Sequence, residues 1–239
     1  SMQIVDDAII LGKNQVKSNN HIVKVFTRNY GLQSVYVSAQ KKKKSARSAV
    51  LQPLSLCQIR FTKTKNSSLP ILQEAKIEVP LLNIQMDVYK STIALFTADF
   101  LTQVLPENTE EGFYDFIKNS IEMFNEMEDG KSNYHLVLLL KISKWLGIQP
   151  SKGNEINNFF DIKEATFSGI KPNHPHYLSI EETKIIHEIL STEWNEIQKI
   201  KITSIMRRKI LNSIIHYYIF HIPGFKKPRA LTILEEVFD

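Results

Sequence analysis

The chain has 239 residues, 43% of them hydrophobic and 23% charged, the composition of a globular protein with one large or two small cores. Its net charge of +5 is unevenly held: over residues 1–80 ten Lys and three Arg stand against two Asp and two Glu, a net +9, and the remainder carries −4. The single cysteine, Cys57, excludes an internal disulfide and any multi-cysteine zinc site.

The opening "MQIVDDAIILGK" carries Asp6 and Asp7 where a secretory leader needs basic residues, so an intracellular chain is expected. The first eighty residues then read as strands. "IVDDAIIL", "HIVKVFT", "LQSVYVSA", "LSLCQIRFT" and "LPILQEAKIEV" are rich in β-branched and aromatic residues, and several alternate apolar with polar. In "HIVKVFT" the positions Ile22, Val25 and Thr27 do not share one face, which leaves that register open. Turn signals at "KSNN", "RNYG" and "TKNSS" separate the runs. Five short strands in one small basic segment fit a five-stranded OB-fold barrel, with a small SH3-like barrel as the alternative on pattern alone.

After Pro80 the period changes. "DVYKSTIALFTADFLTQVL" places Val88, Ile93, Phe96, Phe100 and Leu101 near helical spacing, and Pro106 stops it. "EEGFYDFIKNSIEMFNEME" predicts a second helix with Gly130 as its stop. "SNYHLVLLLKISKWLG" predicts a third, capped by Ser132 or Asn133 and apolar nearly all round. No run is a membrane span: this most apolar one is short and broken by Lys141 and Lys144. "EETKIIHEIL" with Ser179 as cap, "TSIMRRKILNSIIHYYIFHI" with Thr203 as cap, and "PRALTILEEVF" with Pro228 in its first turn complete the helices. Residues 149–178 are rich in Pro, Gly and Asn without a helical period; "FFDIKEATFSG" within them reads as a small hairpin. The expected architecture is α+β and two-part: a barrel over residues 1–80, then an all-α domain over 81–239 with an irregular insert at 149–178.

The densest charge lies in "SAQKKKKSARSAVLQP". Lys41, Lys42, Lys43, Lys44 and Arg47 read either as a solvated hairpin tip or as a phosphate-contacting loop. Lys24 and Arg28 add cations on a neighbouring strand and turn, and Lys63 and Lys65 on another. Alternation places Val35 and Val37 on one strand face and Tyr36 on the other. Tyr36 is thus available either for stacking on a base, as single-strand binders require, or for packing at a sheet edge. A second basic cluster, Arg207, Arg208 and Lys209, lies inside the fifth helix, and Lys226, Lys227 and Arg229 follow in "PGFKKPR". These read as a solvated helix face or as an anchor for an acidic partner. No P-loop, G-x-G-x-x-G, H-E-x-x-H or G-x-S-x-G motif occurs. The paired glutamates, such as Glu181 with Glu182, are neighbours on a helix and point about 100° apart, so they do not converge on a substrate. A binding protein rather than an enzyme is expected.

"VFTRNYGLQSVYVSAQKKKKS" followed by "LQPLSL" is similar to the amino-terminal signature of the RecO family of bacterial recombination mediators. "YYIFHIPGFKKPRALTILEEVF" resembles that family's closing helices, and "FDIKEATFSG" with Pro172, His174 and His176 sits where the family carries a small insert. The resemblance implies an OB-fold on a helical domain and a non-enzymatic role in the bacterial cytoplasm, associated with the nucleoid. It further implies binding of single- and double-stranded DNA, annealing of complementary strands, and action with RecR to replace single-stranded-DNA-binding protein by RecA. The acidic, Phe-ending tail of single-stranded-DNA-binding protein would dock on the helical domain. The alternative is an adaptor that tethers these partners with only incidental DNA affinity. One departure stands out: many family members hold the insert with a cysteine-rich zinc site, and residues 149–178 contain no cysteine. His174, His176 and Asp161 without thiolates make a poor structural zinc set. No metal and no cofactor are therefore expected, and the insert would pack through Phe159, Phe160, Phe167 and Tyr177.

Overall fold

The computed structural model describes residues 1–17, 19–38, 49–65, 69–108, 110–151 and 158–237. Strands β1 (Met2–Gln15), β2 (His21–Thr27), β3 (Gly31–Val37), β4 (Leu56–Lys63) and β5 (Ile71–Val79) close into a barrel in the order β1-β2-β3-β5-β4. All neighbours are antiparallel except β3 and β5, which meet in parallel at Tyr36 and Ile71. This is the five-stranded OB-fold. The period-2 pattern is the cause: Ile4, Ala8, Val23, Val25, Val35 and Phe61 all face one interior cluster. The register left open by the sequence resolves accordingly, with Val23 and Val25 inside the barrel and Ile22 and Lys24 on the outer side. A bulge in β1 between Ile10 and Gly12 re-aims that long strand.

The chain forms two compact units, Ser1–Glu126 and Met127–Asp239. The expected division after residue 80 coincides with the change from strand to helix, whereas the first unit continues through three helices: α1 (Leu82–Met86), α2 (Val88–Val104) and α3 (Phe113–Glu126). Asp87 caps α2 by accepting from the Tyr89 and Lys90 amides at 2.8 and 3.2 Å. Helix α3 packs on the barrel through Phe113 and Tyr114, whose rings lie 5.8 and 6.0 Å from that of Phe26. Lys90 is fully buried; its ammonium donates to the Asn125 carbonyl at the end of α3 at 2.8 Å. Asn125 returns a bond to α1, its Oδ1 accepting from the Ile84 amide at 3.0 Å.

The second unit is built on α4 (Tyr134–Trp145), whose residues Leu136 to Leu140 are all buried, as its unbroken apolar run demands. Helices α5 (Ile180–Leu190), α6 (Ser204–His221) and α7 (Ala230–Val237) complete it, with 3-10 turns at Lys131–Asn133 and Trp194–Lys199 that the sequence did not announce. Ser179 and Thr203 cap α5 and α6 as expected. Two caps differ. Neither Ser132 nor Asn133 bonds the start of α4; the Asn133 side chain instead joins the Ile200 carbonyl and the Arg207 guanidinium. Pro228 lies two residues ahead of α7, its carbonyl accepting from Leu231. The expected hairpin forms as β6 (Phe159–Asp161) and β7 (Thr166–Ser168), and a third stretch, residues 176–178, pairs on the other edge of β6.

Candidate nucleic-acid interface

The outer surface of the barrel carries a continuous belt of cross-strand neighbours. Asn14 of β1 stands opposite Ile22 of β2, Ile22 opposite Tyr36 of β3, Tyr36 opposite Ile71 of β5, Ile71 opposite Thr62 of β4, and Thr62 opposite Gln3 of β1. The alternation responsible for the core generates this belt, most plainly at Tyr36 and Ile71, each of which lies between two buried residues. Val35 and Val37 are buried on the inner side, which turns the half-buried Tyr36 outward between two isoleucines. Its amide donates to the Pro70 carbonyl at 2.8 Å, fixing β3 at the seam of the barrel.

Cations surround the belt. Lys24 is two residues from Ile22 on the same face of β2, opposite Ser34 and Gly12. Lys63 ends β4 beside Thr62, and Lys65 follows it in the connection to β5; both are exposed. Among the described residues Lys24, Lys63 and Lys65 make no ion pair, and the Tyr36 ring stacks on no other ring. Lys13 and Lys17, which the sequence argument did not single out, are exposed on β1 and the turn after it. Lys41, Lys42, Lys43, Lys44 and Arg47 lie outside the described residues.

Arg28 is placed differently. Its guanidinium bonds Asp7 at 3.0 Å and Asp115 at 2.6 Å and lies 4.4 Å from the Tyr114 ring centroid. This cation joins β1, the β2–β3 turn and α3, so its charge is committed within the fold. The same corner holds Glu78 against Asp7. Burial, together with the Asp7 charge and hydrogen bond, pushes the Glu78 carboxyl above its ordinary range. Lys118 offsets part of this, 4.0 Å from Glu78 and 2.9 Å from Glu122. Arg60 is likewise paired across strands with Glu74 at 3.4 Å. Sequence counting treats these arginines and the outward lysines alike; only the fold separates structural charge from available charge. Cys57 is buried in the barrel, and burial pushes its thiol up to about 12, far from nucleophilic use.

In the second unit the basic cluster is divided. Arg207 and Arg208 line a shallow groove with His135, Ser204, Leu211, Leu234 and one acidic residue, Glu235, whereas Lys209, Lys226 and Lys227 are exposed and do not line it. Arg207 also borders a cleft of about 490 Å³ with Gly130, Ser132, Lys201 and Thr203. Among the described residues its guanidinium bonds only neutral acceptors, Asn133 Oδ1 at 2.8 Å and the Ile202 carbonyl at 3.4 Å. Burial lowers its pKa from the usual arginine value, with no carboxylate among the described residues to offset it. Arg208 donates to the Glu235 carbonyl at 3.3 Å. No group of three or more His, Cys, Asp or Glu side chains is arranged for a metal among the described residues, and no described helix is long and apolar enough to cross a membrane.

Comparison with known proteins accounts for both units. The family model for the N-terminal domain of recombination protein O matches residues 2–80, and the model for its C-terminal domain matches residues 85–230. The DNA repair protein RecO of Flavobacterium psychrophilum is 32% identical over 242 residues, covering 100% of both chains. That of Flavobacterium johnsoniae is 32% identical over 241 residues, again across 100% of both. That of Phocaeicola vulgatus is 32% identical over 234 residues, or 97% of each. With an OB-fold barrel, a helical unit and matches from end to end, the chain belongs to the RecO family of DNA repair proteins.

Proposed function

We propose that this chain is a non-enzymatic recombination mediator that holds single- and double-stranded DNA on the outer face of its barrel and promotes annealing of complementary strands. The observation that carries this reading is the belt centred on Tyr36, with Lys24, Lys63 and Lys65 around it unpaired among the described residues. Single-strand binders combine such a cationic track with a ring on which a base can stack. The Lys41–Lys44 run and Arg47, which follow directly on from β3, extend the track in sequence. Strand annealing is opposed by phosphate repulsion; a basic surface holding both strands lowers that barrier and leaves base pairing to supply specificity. Action with RecR, and the exchange of single-stranded-DNA-binding protein for RecA, are proposed on family membership.

Titration of a labelled oligonucleotide against salt separates cationic from stacking contributions. Replacing Lys63 and Lys65 together by Ala is expected to flatten the plot of log K against log salt by roughly 0.7 for each phosphate that is no longer neutralised. Tyr36→Ala is expected to lower affinity by about 5- to 100-fold, the worth of one stacked base, without changing that slope. Variants that bind as the parent does, with an unaltered slope, place the DNA elsewhere.

A second reading, an adaptor that tethers partners, is favoured by one observation: the half-buried Arg207 guanidinium, bonded among the described residues only to neutral acceptors, beside a largely apolar groove. A cation so placed suits the carboxylates of an acidic tail, and Leu211 with Leu234 suits its terminal Phe. Arg208→Ala, which leaves the Arg207 bonds intact, is expected to weaken binding of a labelled acidic peptide ending in Phe by about tenfold. Equal binding by parent and variant removes the groove from the account. The two readings are compatible, and strand annealing by the parent protein decides whether DNA handling is primary.

A further inference from the structure

The insert of the second unit is held down by histidines. Residues 176–178 pair along β6: the Ile162 amide donates to the His176 carbonyl at 3.0 Å, and the Leu178 amide to the Phe160 carbonyl at 2.9 Å. The His174 side chain secures the start of this lash. Its Nε2 lies 2.9 Å from Asp161 Oδ2, and its Nδ1 accepts from the His176 amide at 3.0 Å. An imidazole nitrogen that accepts a hydrogen bond carries no proton, so neutral His174 has its hydrogen on Nε2 and donates it to Asp161. Asp161 Oδ1 in turn accepts from the Glu164 amide at 2.9 Å.

From the lash the contact passes to α6 through rings. The His176 ring lies 5.7 Å from that of His174, 5.2 Å from that of His216 and 4.8 Å from that of Phe220. His216 stacks on Phe220 at 5.0 Å and an interplanar angle of 16°. One turn on, His221 Nε2 donates to the Ile162 carbonyl at 2.8 Å. The titratable and charged groups in these contacts are Asp161 of β6, His174 and His176 of the lash, and His216 and His221 of α6. Lys171 lies 5.7 Å from the ring of Tyr177, the residue between His176 and Leu178. Among the described residues Asp161 supplies the one negative charge in these contacts, and its partner there is His174 rather than His176 or His216.

We propose that residues 174–178 and the end of α6 form an acid-opened latch, closed while the His174, His176 and His216 rings are neutral and released when they take up protons. Two features of the geometry support this. A proton on His174 Nδ1 displaces the His176 amide from its acceptor, breaking the turn that starts the lash. Protons on both His176 and His216 set like charges on rings whose centroids are 5.2 Å apart, with no carboxylate bonded to either among the described residues. The direction of the linkage agrees. Burial, and secondarily the His176 charge, lower the His216 pKa from 6.5, so the closed form binds that proton less readily than the open form. The His216 contribution to closure is therefore complete above pH 6.5 and lost as pH falls.

Amide hydrogen exchange in the intact protein tests the latch. The Ile162 and Leu178 amides, corrected for intrinsic exchange, are expected to lose about tenfold in protection between about pH 7.5 and about pH 5.5. The Val23 and Val35 amides of the barrel, which share none of these rings, serve as the control and are expected to hold theirs. His216→Phe preserves a ring for stacking on Phe220 and His176 but removes one charge, and is expected to cut the loss to about threefold or less. NMR titration of the unmodified protein supplies a second reading that no variant's folding can compromise: the His216 resonance is expected to titrate together with lash opening. Protection of Ile162 and Leu178 that is independent of pH overturns the proposal. So does an equal loss in His216→Phe and the parent, or a His216 resonance that titrates while both amides stay protected.

Discussion

Gly31→Ala is expected to destabilise the first unit by about 3 kcal/mol or more, lowering its unfolding midpoint by about 10 °C in calorimetry. Two penalties combine at this position. Gly31 opens β3 with φ at +68°, the left-handed region that costs a side-chain-bearing residue about 1–2 kcal/mol. A Cβ there would also stand 2.7 Å from the backbone carbon and oxygen of Glu107 and 2.8 Å from the Pro106 carbonyl oxygen. These are backbone atoms, held in place because the Pro106 carbonyl accepts from the Leu32 amide at 2.9 Å, so they cannot swing aside as a side-chain tip would. Asn at the same position tolerates the dihedral but not the approach, and is expected to fare no better than Ala. A variant with a parental midpoint would mean that residues 106 and 107 yield freely.

Lys90 carries the second large effect. Lys90→Ala is expected to cost about 3–5 kcal/mol, from the missing charge-assisted hydrogen bond and the cavity left by its stem. Lys90→Met keeps most of the stem volume and forfeits mainly the bond to the Asn125 carbonyl, so about 1–3 kcal/mol is expected. The site explains the ordering. The ammonium sits at the C-terminal end of α3, where a helix presents unsatisfied carbonyls and partial negative charge. Through Asn125 the same end is bonded to Ile84, so α1, α2 and α3 are joined at one point. Urea unfolding of the three proteins checks this: the midpoints should fall in the order parent, Met, Ala at an unchanged slope. A Met variant as stable as the parent would show the buried charge to be dispensable.

The two positions also show where reading the sequence succeeds and stops. "RNYG" announces a turn and Gly31 its special dihedral, because turn chemistry is local. That Pro106 and Glu107 would lie against it depends on contacts 75 residues away and leaves no local trace. Lys90 falls in a helical run where a lysine normally marks the solvent face, and only tertiary packing reverses that assignment. The strands were legible for the opposite reason: β-branched and aromatic residues mark all five runs, several with a period of two, and one interior takes residues from every strand. The candidate interface was half legible. Alternation alone turns Tyr36 outward, whereas the separation of Lys24, Lys63 and Lys65 from the engaged Arg28 required the acidic partners Asp7 and Asp115 from distant elements. The insert hairpin was visible in "FFDIKEATFSG", but the lash beside it was not, since a strand of three residues is too short for periodicity to show.

The central claim, that the barrel face handles DNA, is tested most directly by the annealing of two complementary labelled oligonucleotides, followed by fluorescence quenching at low and moderate salt. The parent protein is expected to accelerate annealing at low salt and progressively less as salt rises. Replacing Lys41, Lys42, Lys43 and Lys44 by Ala, alone and with Tyr36→Ala, is expected to reduce that acceleration stepwise, the double set approaching the protein-free rate. Acceleration by the parent that survives both sets of substitutions undiminished would contradict the account, as would a parent protein that does not accelerate annealing at any salt.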